Sequence, residues 1–153
     1  MAKTHFTKRA ALGAPALWVA PALLLGAVLA PQAALAAPTT LTATLTGANE
    51  TAGGLPTGTG SFKVTLDPET NDFCYSLWAS PGVTATMAHV HSGEAGKDGP
   101  PVVTLMMTGQ KDDECMAIDK DKLEPIVANP AAYYVNIHTA AFPKGALRGQ
   151  LGK

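Results

Sequence analysis

Between residues 40 and 151 apolar and polar side chains alternate in short runs, and proline or glycine interrupts the chain before any run completes a helical face. A period of two marks strands with one buried face. The runs lie at 40–47, 60–67, 73–80, 84–91, 101–108, 114–118, 133–140 and 146–151. Eight short segments with turn residues between them predict an all-β fold, a Greek-key β-sandwich or barrel of antiparallel strands. The segment 67–72, DPETND, reads as a hairpin turn, because Asp67, Pro68, Asn71 and Asp72 are turn formers. One short helix is predicted at 119–129, with Asp119 at its start and Pro125 preventing it from running far.

The same alternation predicts which way side chains point. Phe62, Val64 and Leu66 take one face of their strand, and Ser61, Lys63 and Thr65 the other. Tyr133, Val135 and Ile137 lie opposite Tyr134, Asn136 and His138; Ala88 and Val90 lie opposite Met87, His89 and His91. His89, His91 and His138 therefore all project away from the core side of their strands. Residues i and i+2 on a strand share a face about 6.5–7 Å apart, so His89 and His91 can aim at one ion from a rigid base. His138, on a neighbouring strand, would complete a three-nitrogen set with an open position. That chemistry suits copper, with zinc as the alternative. An isolated His-x-His is a weak signal, since two solvated surface histidines explain it equally well. Here every histidine after residue 36 belongs to the set, all share the polar parity, and GEAGKDGPP follows as a loop able to cover a site.

Upstream of the strands, Lys3, Lys8 and Arg9 precede an apolar run that ends in Ala34-Leu35-Ala36. A charged start, an apolar stretch and an A-x-A triplet predict a signal peptide over residues 1–36, cut after Ala36. Pro15, Pro21 and Pro31 argue against an uncleaved membrane anchor, and Lys8-Arg9 is not a twin arginine, which favours a Sec-type route. The remainder, 37–153, is enough for one domain. It is expected to be secreted or periplasmic, without a membrane span after processing. It keeps all twelve Asp and Glu but loses three of the eleven Lys and Arg. The resulting net negative charge argues against a nucleic-acid partner. Cys74 and Cys115 both fall in this part, and in an oxidising compartment an even pair predicts one disulfide; a thiolate metal ligand is the alternative.

Other residues carry weaker signals. Met87, Met106, Met107 and Met116 offer thioethers that suit Cu(I), although methionine in a small β domain is usually core filler. Glu50 and Arg148 sit at strand ends, where a solvated charge is the ordinary expectation. Glu94 and Asp98 resemble a calcium loop only loosely, lacking the spacing and closing Glu of an EF-hand. There is no Gly-x-Ser-x-Gly elbow, Walker loop or Cys-His nucleophile arrangement.

Four motifs resemble the chordin-type CHRD domain: LTGANE at 45–50, TGTGSFKVTLD at 57–67, MAHVHSGEAGKDGPPVVTL at 87–105, and YYVNIHTAAFPKGALRGQL at 133–151. Together they cover almost all of 37–153. After LTGANE the family pattern continues with a Val-Pro-Pro-like stretch, and this chain has Thr51-Ala52-Gly53-Gly54 instead. A second similarity is to Cu/Zn superoxide dismutase, through a His-Val-His on a strand, a distant strand histidine and a late arginine. That similarity implies His89, His91 and His138 as copper ligands and Arg148 as a catalytic, superoxide-guiding cation. With no spare histidine to bridge to zinc, such a site would hold copper alone. The reading that results is an exported domain binding copper through three histidines, with superoxide dismutase-like redox activity toward superoxide or another small anion. The alternatives are a non-enzymatic extracellular binding or adhesion module and a copper carrier.

Overall fold

Eight strands form where the period-two alternation predicts them, in a computed structural model that describes residues 37–110 and 113–153. They are β1 (Thr39–Thr46), β2 (Thr59–Asp67), β3 (Asp72–Ala79), β4 (Ala85–Ser92), β5 (Pro101–Leu105), β6 (Glu114–Ala117), β7 (Tyr133–Thr139) and β8 (Leu147–Gln150), with helix α1 (Lys120–Ala128) before β7. The signal peptide read at 1–36 lies outside the described residues. Among the described residues no helix is long and apolar enough to cross a membrane.

The strands make one antiparallel sheet in the order β5-β4-β7-β8-β1-β2-β3-β6. β1, β2 and β3 are joined by hydrogen bonds along their whole length. The turn predicted at 67–72 closes on the pair Asp67 and Asp72, with Asn71 in the left-handed region at φ 62°, a conformation asparagine tolerates well. The fold class is as predicted, but a single curled sheet replaces two separate layers. Its ends approach through the segment after β5: the amides of Thr108 and Gly109 donate to the Leu77 carbonyl of β3, and the Met106 amide donates to Tyr75 Oη. That detour explains why β5 stops at Leu105, three residues short of the run read at 101–108. The backbone leaves β4 to reach the far side of the sheet.

Curling brings the inward faces together. Phe62, Val64 and Leu66 of β2, Ala88 and Val90 of β4, and Val135 and Ile137 of β7 are all buried in one cluster. Phe62, Phe73 and Tyr75 pack with ring centroids 5.6–6.4 Å apart, geometry that favours aromatic pairs. Leu123 and Ile126, three residues apart on one side of α1, are fully buried in the same cluster. The helix runs three residues beyond Pro125 and stops within the predicted 119–129, the proline, sixth of its nine residues, removing one backbone bond. Asp119 occupies the N-cap position, but its carboxylate pairs with Lys122 Nζ at 2.9 Å rather than with a backbone amide.

β6 is a four-residue edge strand with no fully buried side chain. What fastens it is the disulfide between Cys74 of β3 and Cys115, directly opposite each other in the ladder. The predicted pairing is therefore present. It closes a sequence separation of 41 residues, for which restriction of the unfolded chain contributes about 2–4 kcal/mol. A Cys74→Ser, Cys115→Ser variant should lose about that much stability in urea denaturation, and amide exchange should accelerate first at Glu114–Ala117. Equal midpoints for variant and wild type would show that the ladder alone holds β6.

Candidate metal centre

The outward faces of β4, β7 and β8 form a small grid whose rows are set by register. His89 of β4 lies opposite Asn136 of β7, which lies opposite Arg148 of β8. One row along, His91 faces Tyr134, which faces Gln150; on the other side Met87 faces His138. Two register shifts in β4, between Ala85 and Met87 and between Val90 and His91, bracket His89. Bulges of this kind raise local twist and re-aim side chains. The rings of His89 and His91 accordingly stand nearly perpendicular, at 88°.

This face points away from the core, as its parity predicts, but it is not open to solvent. Six of the seven β7 residues are buried, Tyr134, Asn136 and His138 among them. The cover is the loop 93–100, tied down at several points: the Gly93 amide donates to the Ala132 carbonyl, and Gln150 Nε2 donates to the carbonyls of Gly93, Ala131 and Tyr133. Gly99 must be glycine, because a Cβ there would collide with the Ser92 carbonyl oxygen.

The three predicted histidines converge. One ring nitrogen from each of His89, His91 and His138 lies within 4.8 Å of the other two. His89 Nδ1 and His138 Nε2 are 3.2 Å apart, close to the roughly 3.3 Å that two nitrogens assume on one tetrahedral ion with bonds of about 2.0–2.1 Å. Backbone carbonyls settle the tautomers. His91 Nδ1–H donates to Gly99 O at 2.8 Å, and His138 Nδ1–H donates to Pro143 O at 3.1 Å. Each ring is thereby left with a bare Nε2 lone pair, and such outer hydrogen bonds orient metal-binding imidazoles. His91 Nε2 is buried without a hydrogen-bond partner, as is Asn136 Oδ1 beside it in the grid. An orphaned acceptor of this kind is costly unless a cation or donor meets it.

Electrostatics disfavours protonation of His89 and His91. Burial lowers the pKa of His89 below its ordinary 6.5, and the neighbouring His138 and His91 lower it further. Burial also lowers that of His91; the Gly99 carbonyl and, less strongly, the nearby Asn136 side chain oppose it, and His138 and Arg148 add to the depression. Neutral imidazole is the form that ligates a metal. With no carboxylate among the three donors, the set is ill suited to calcium or magnesium.

Arg148 departs from the solvated strand-end charge expected of it. Its side chain is only 2% exposed. One terminal nitrogen donates to Asp98 Oδ1 at 3.1 Å, and the other to the carbonyls of Glu94 and Lys97 at 3.1 and 2.6 Å. The guanidinium carbon also lies 3.4 Å over the centroid of the Tyr134 ring, and His91 stacks on that ring at 4.9 Å. β4 and β8 flank β7 on opposite sides, so the tyrosine is held between the cation and the imidazole. Glu94 and Asp98, read as a loose calcium loop, are instead the parts of the loop that Arg148 grips. Glu50 is no solvated charge either: its Oε1 is buried without a partner, and a Cβ on Gly145 would strike its carboxylate. Desolvation pushes its pKa up to about 7; Arg148 opposes this and Asp98 adds to it. Sequence reasoning missed Tyr134, Asn136 and the carbonyls of Gly99 and Pro143. Tyr134 and Asn136 share the parity of His138, a signal that was available; backbone carbonyls carry none.

A convergent tri-imidazole cluster under a clamped loop, on the outer face of an antiparallel sheet, defines a β domain with a candidate metal centre. The chain belongs to the CHRD-domain family, whose model, described as the CHRD domain, matches residues 41–151. No curated protein and no solved structure matches the chain. The likeness to Cu/Zn superoxide dismutase therefore rests on the histidine pattern alone.

Replacing Arg148 by alanine withdraws the guanidinium donors from two loop carbonyls and the Asp98 carboxylate, and should cost about 2–4 kcal/mol. Amide exchange over residues 93–99 should rise with it. Arg148→Lys should recover only part of the loss, because an ammonium lacks the fork; full stability in the alanine variant would refute the clamp. For Glu50 the sign follows from its raised pKa: the folded protein holds the proton more tightly than the unfolded chain, at about 7 against 4.5. Its contribution is complete below pH 4.5 and is lost as pH rises toward 7. Glu50→Gln should flatten that decline, by on the order of 1 kcal/mol after allowance for solvent screening. Thermal midpoints measured from pH 4 to 8 read the difference; parallel curves would contradict it.

Proposed function

We propose that this CHRD-domain protein binds one copper ion through His89 Nδ1, His91 Nε2 and His138 Nε2. The observation that carries the reading is the buried, partnerless Nε2 of His91, on a ring whose other nitrogen is already committed to Gly99 O and whose neighbours are two more imidazole nitrogens. An all-imidazole donor set suits copper, and divalent copper outranks zinc for nitrogen donors. Bound there, copper would supply one-electron redox chemistry, which is what a superoxide dismutase-like activity requires.

The chain's own residues account for the rest. Gly99 and Pro143 hold two rings in the ligating tautomer, and burial keeps His89 and His91 unprotonated. Arg148, given the role of guiding an anion by the dismutase likeness, spends its terminal nitrogens on the loop and acts as a positioning residue. Its charge adds, as the least of the causes, to the lowered pKa of His91. Export to the periplasm or the cell exterior completes the reading, supported by the disulfide and the leader-like N-terminal pattern.

Electron paramagnetic resonance of the protein titrated with Cu(II) should show hyperfine splitting from three nitrogens. Changing His138 to alanine should remove one nitrogen and weaken binding by more than about 100-fold, since loss of an outer-shell partner alone costs about 10–100-fold. A spectrum unchanged in the triple alanine variant would reject the site. Superoxide turnover faster than that of free copper at equal concentration would support redox activity, and an equal rate would leave a carrier.

A further inference from the structure

Methionine in a small β domain ordinarily fills the core, but three of these methionines do the opposite. Met87, Met106 and Met107 are the exposed large hydrophobic residues among those described, at 52%, 62% and 39% of their full surface. All three line one shallow depression of about 210 Å³, floored by Ala88 and Leu105. Their backbones are fixed. Met87 lies in β4, two residues before His89 on the same face and directly across from His138. Ala88 pairs with Leu105, the last residue of β5, and Met106 follows it directly, its amide anchored on Tyr75 Oη at 2.9 Å where the backbone leaves β4. The methionine patch thus reaches the histidine grid through Met87, which lies across from His138.

We propose that Met87, Met106 and Met107 form a second metal site, a thioether platform for Cu(I) that adjoins the histidine cluster and passes copper to it. Thioethers are soft donors that favour Cu(I), whereas imidazole also serves Cu(II). Unbranched methionine chains with three rotatable bonds can gather around an ion from a surface without moving the backbone. Exposure is required of a site that takes an ion from outside, and it explains why these side chains are not buried. The transfer role rests on the copper reading of the histidines; the thioether site does not.

The test uses Ag(I), a redox-inert soft cation, with protein carrying 13C-labelled methionine methyl groups, followed by anaerobic Cu(I) titration against a chromophoric chelator. In a His89→Ala, His91→Ala, His138→Ala variant, Ag(I) should still bind stoichiometrically and shift the methyl resonances of Met87, Met106 and Met107 but not that of Met116. Met87→Leu with Met106→Leu, a nearly volume-conserving change at exposed positions, should weaken Ag(I) and Cu(I) binding in that background by about tenfold or more. The same leucine changes in the wild type should leave the Cu(II) nitrogen hyperfine pattern intact while slowing uptake of Cu(I). Absence of methyl shifts in the histidine-free variant, or unaltered affinity in the leucine variant, overturns the platform. Absence of nitrogen hyperfine structure in the unaltered protein would remove the histidine reading and the transfer role with it, while the Ag(I) result in the histidine-free variant still decides the thioether site.

Discussion

A single buried guanidinium organises the outer face of this sheet. Arg148 projects from β8, away from the core, into a position that would be wet if the loop 93–100 did not cover it. Burying such a group costs several kcal/mol unless its donors are met. The loop meets them with two carbonyls and the Asp98 carboxylate, and the Tyr134 ring stacks beneath the cation. Folding of the loop and burial of the charge therefore stand or fall together. Asp98 itself remains mostly exposed and accepts a further bond from Thr51, so the segment after β1 is drawn into the same network.

From that clamp the geometry of the histidines follows. Because the loop is pinned over β7, the Gly99 carbonyl is delivered to His91 Nδ1 and the Gly99 amide approaches Tyr134 Oη. His91 is then fixed between a carbonyl on one side and an aromatic ring on its face. His138 is fixed by a separate turn, through Pro143. His89 has neither support; its Nδ1 faces His138 Nε2 instead. The cluster thus has two rings held by backbone carbonyls and one, His89, held by the neighbouring rings.

Glu50 lies within the field of the same cation. Its carboxyl gains less from Arg148 than it loses by leaving water, because the guanidinium is already engaged with Asp98 and the loop. The two acids compete for one charge, and the more exposed one holds the hydrogen bond. Burial, with a smaller contribution from Asp98, is why its proton is held up to about neutral pH.

The alternation of residues such as Phe62, Val64 and Leu66 against Ser61, Lys63 and Thr65 determined the strands, their facing and the core, because a period of two is a local property of the chain. It also placed His89, His91, His138 and Arg148 on one side of their strands, and cysteine pairing was legible from count and compartment. The motifs around these residues were enough to identify the family. Strand order was not legible: nothing in the local pattern says that β4 and β8 both flank β7, and that adjacency is what turns three outward histidines into one cluster. Nor could alternation show that the outward face is covered, since parity distinguishes one side of a strand from the other but not water from a folded loop. Only the tertiary structure, by laying residues 93–100 across β7, decided that Arg148 is a buried clamp and that His91 keeps a lone pair with no partner.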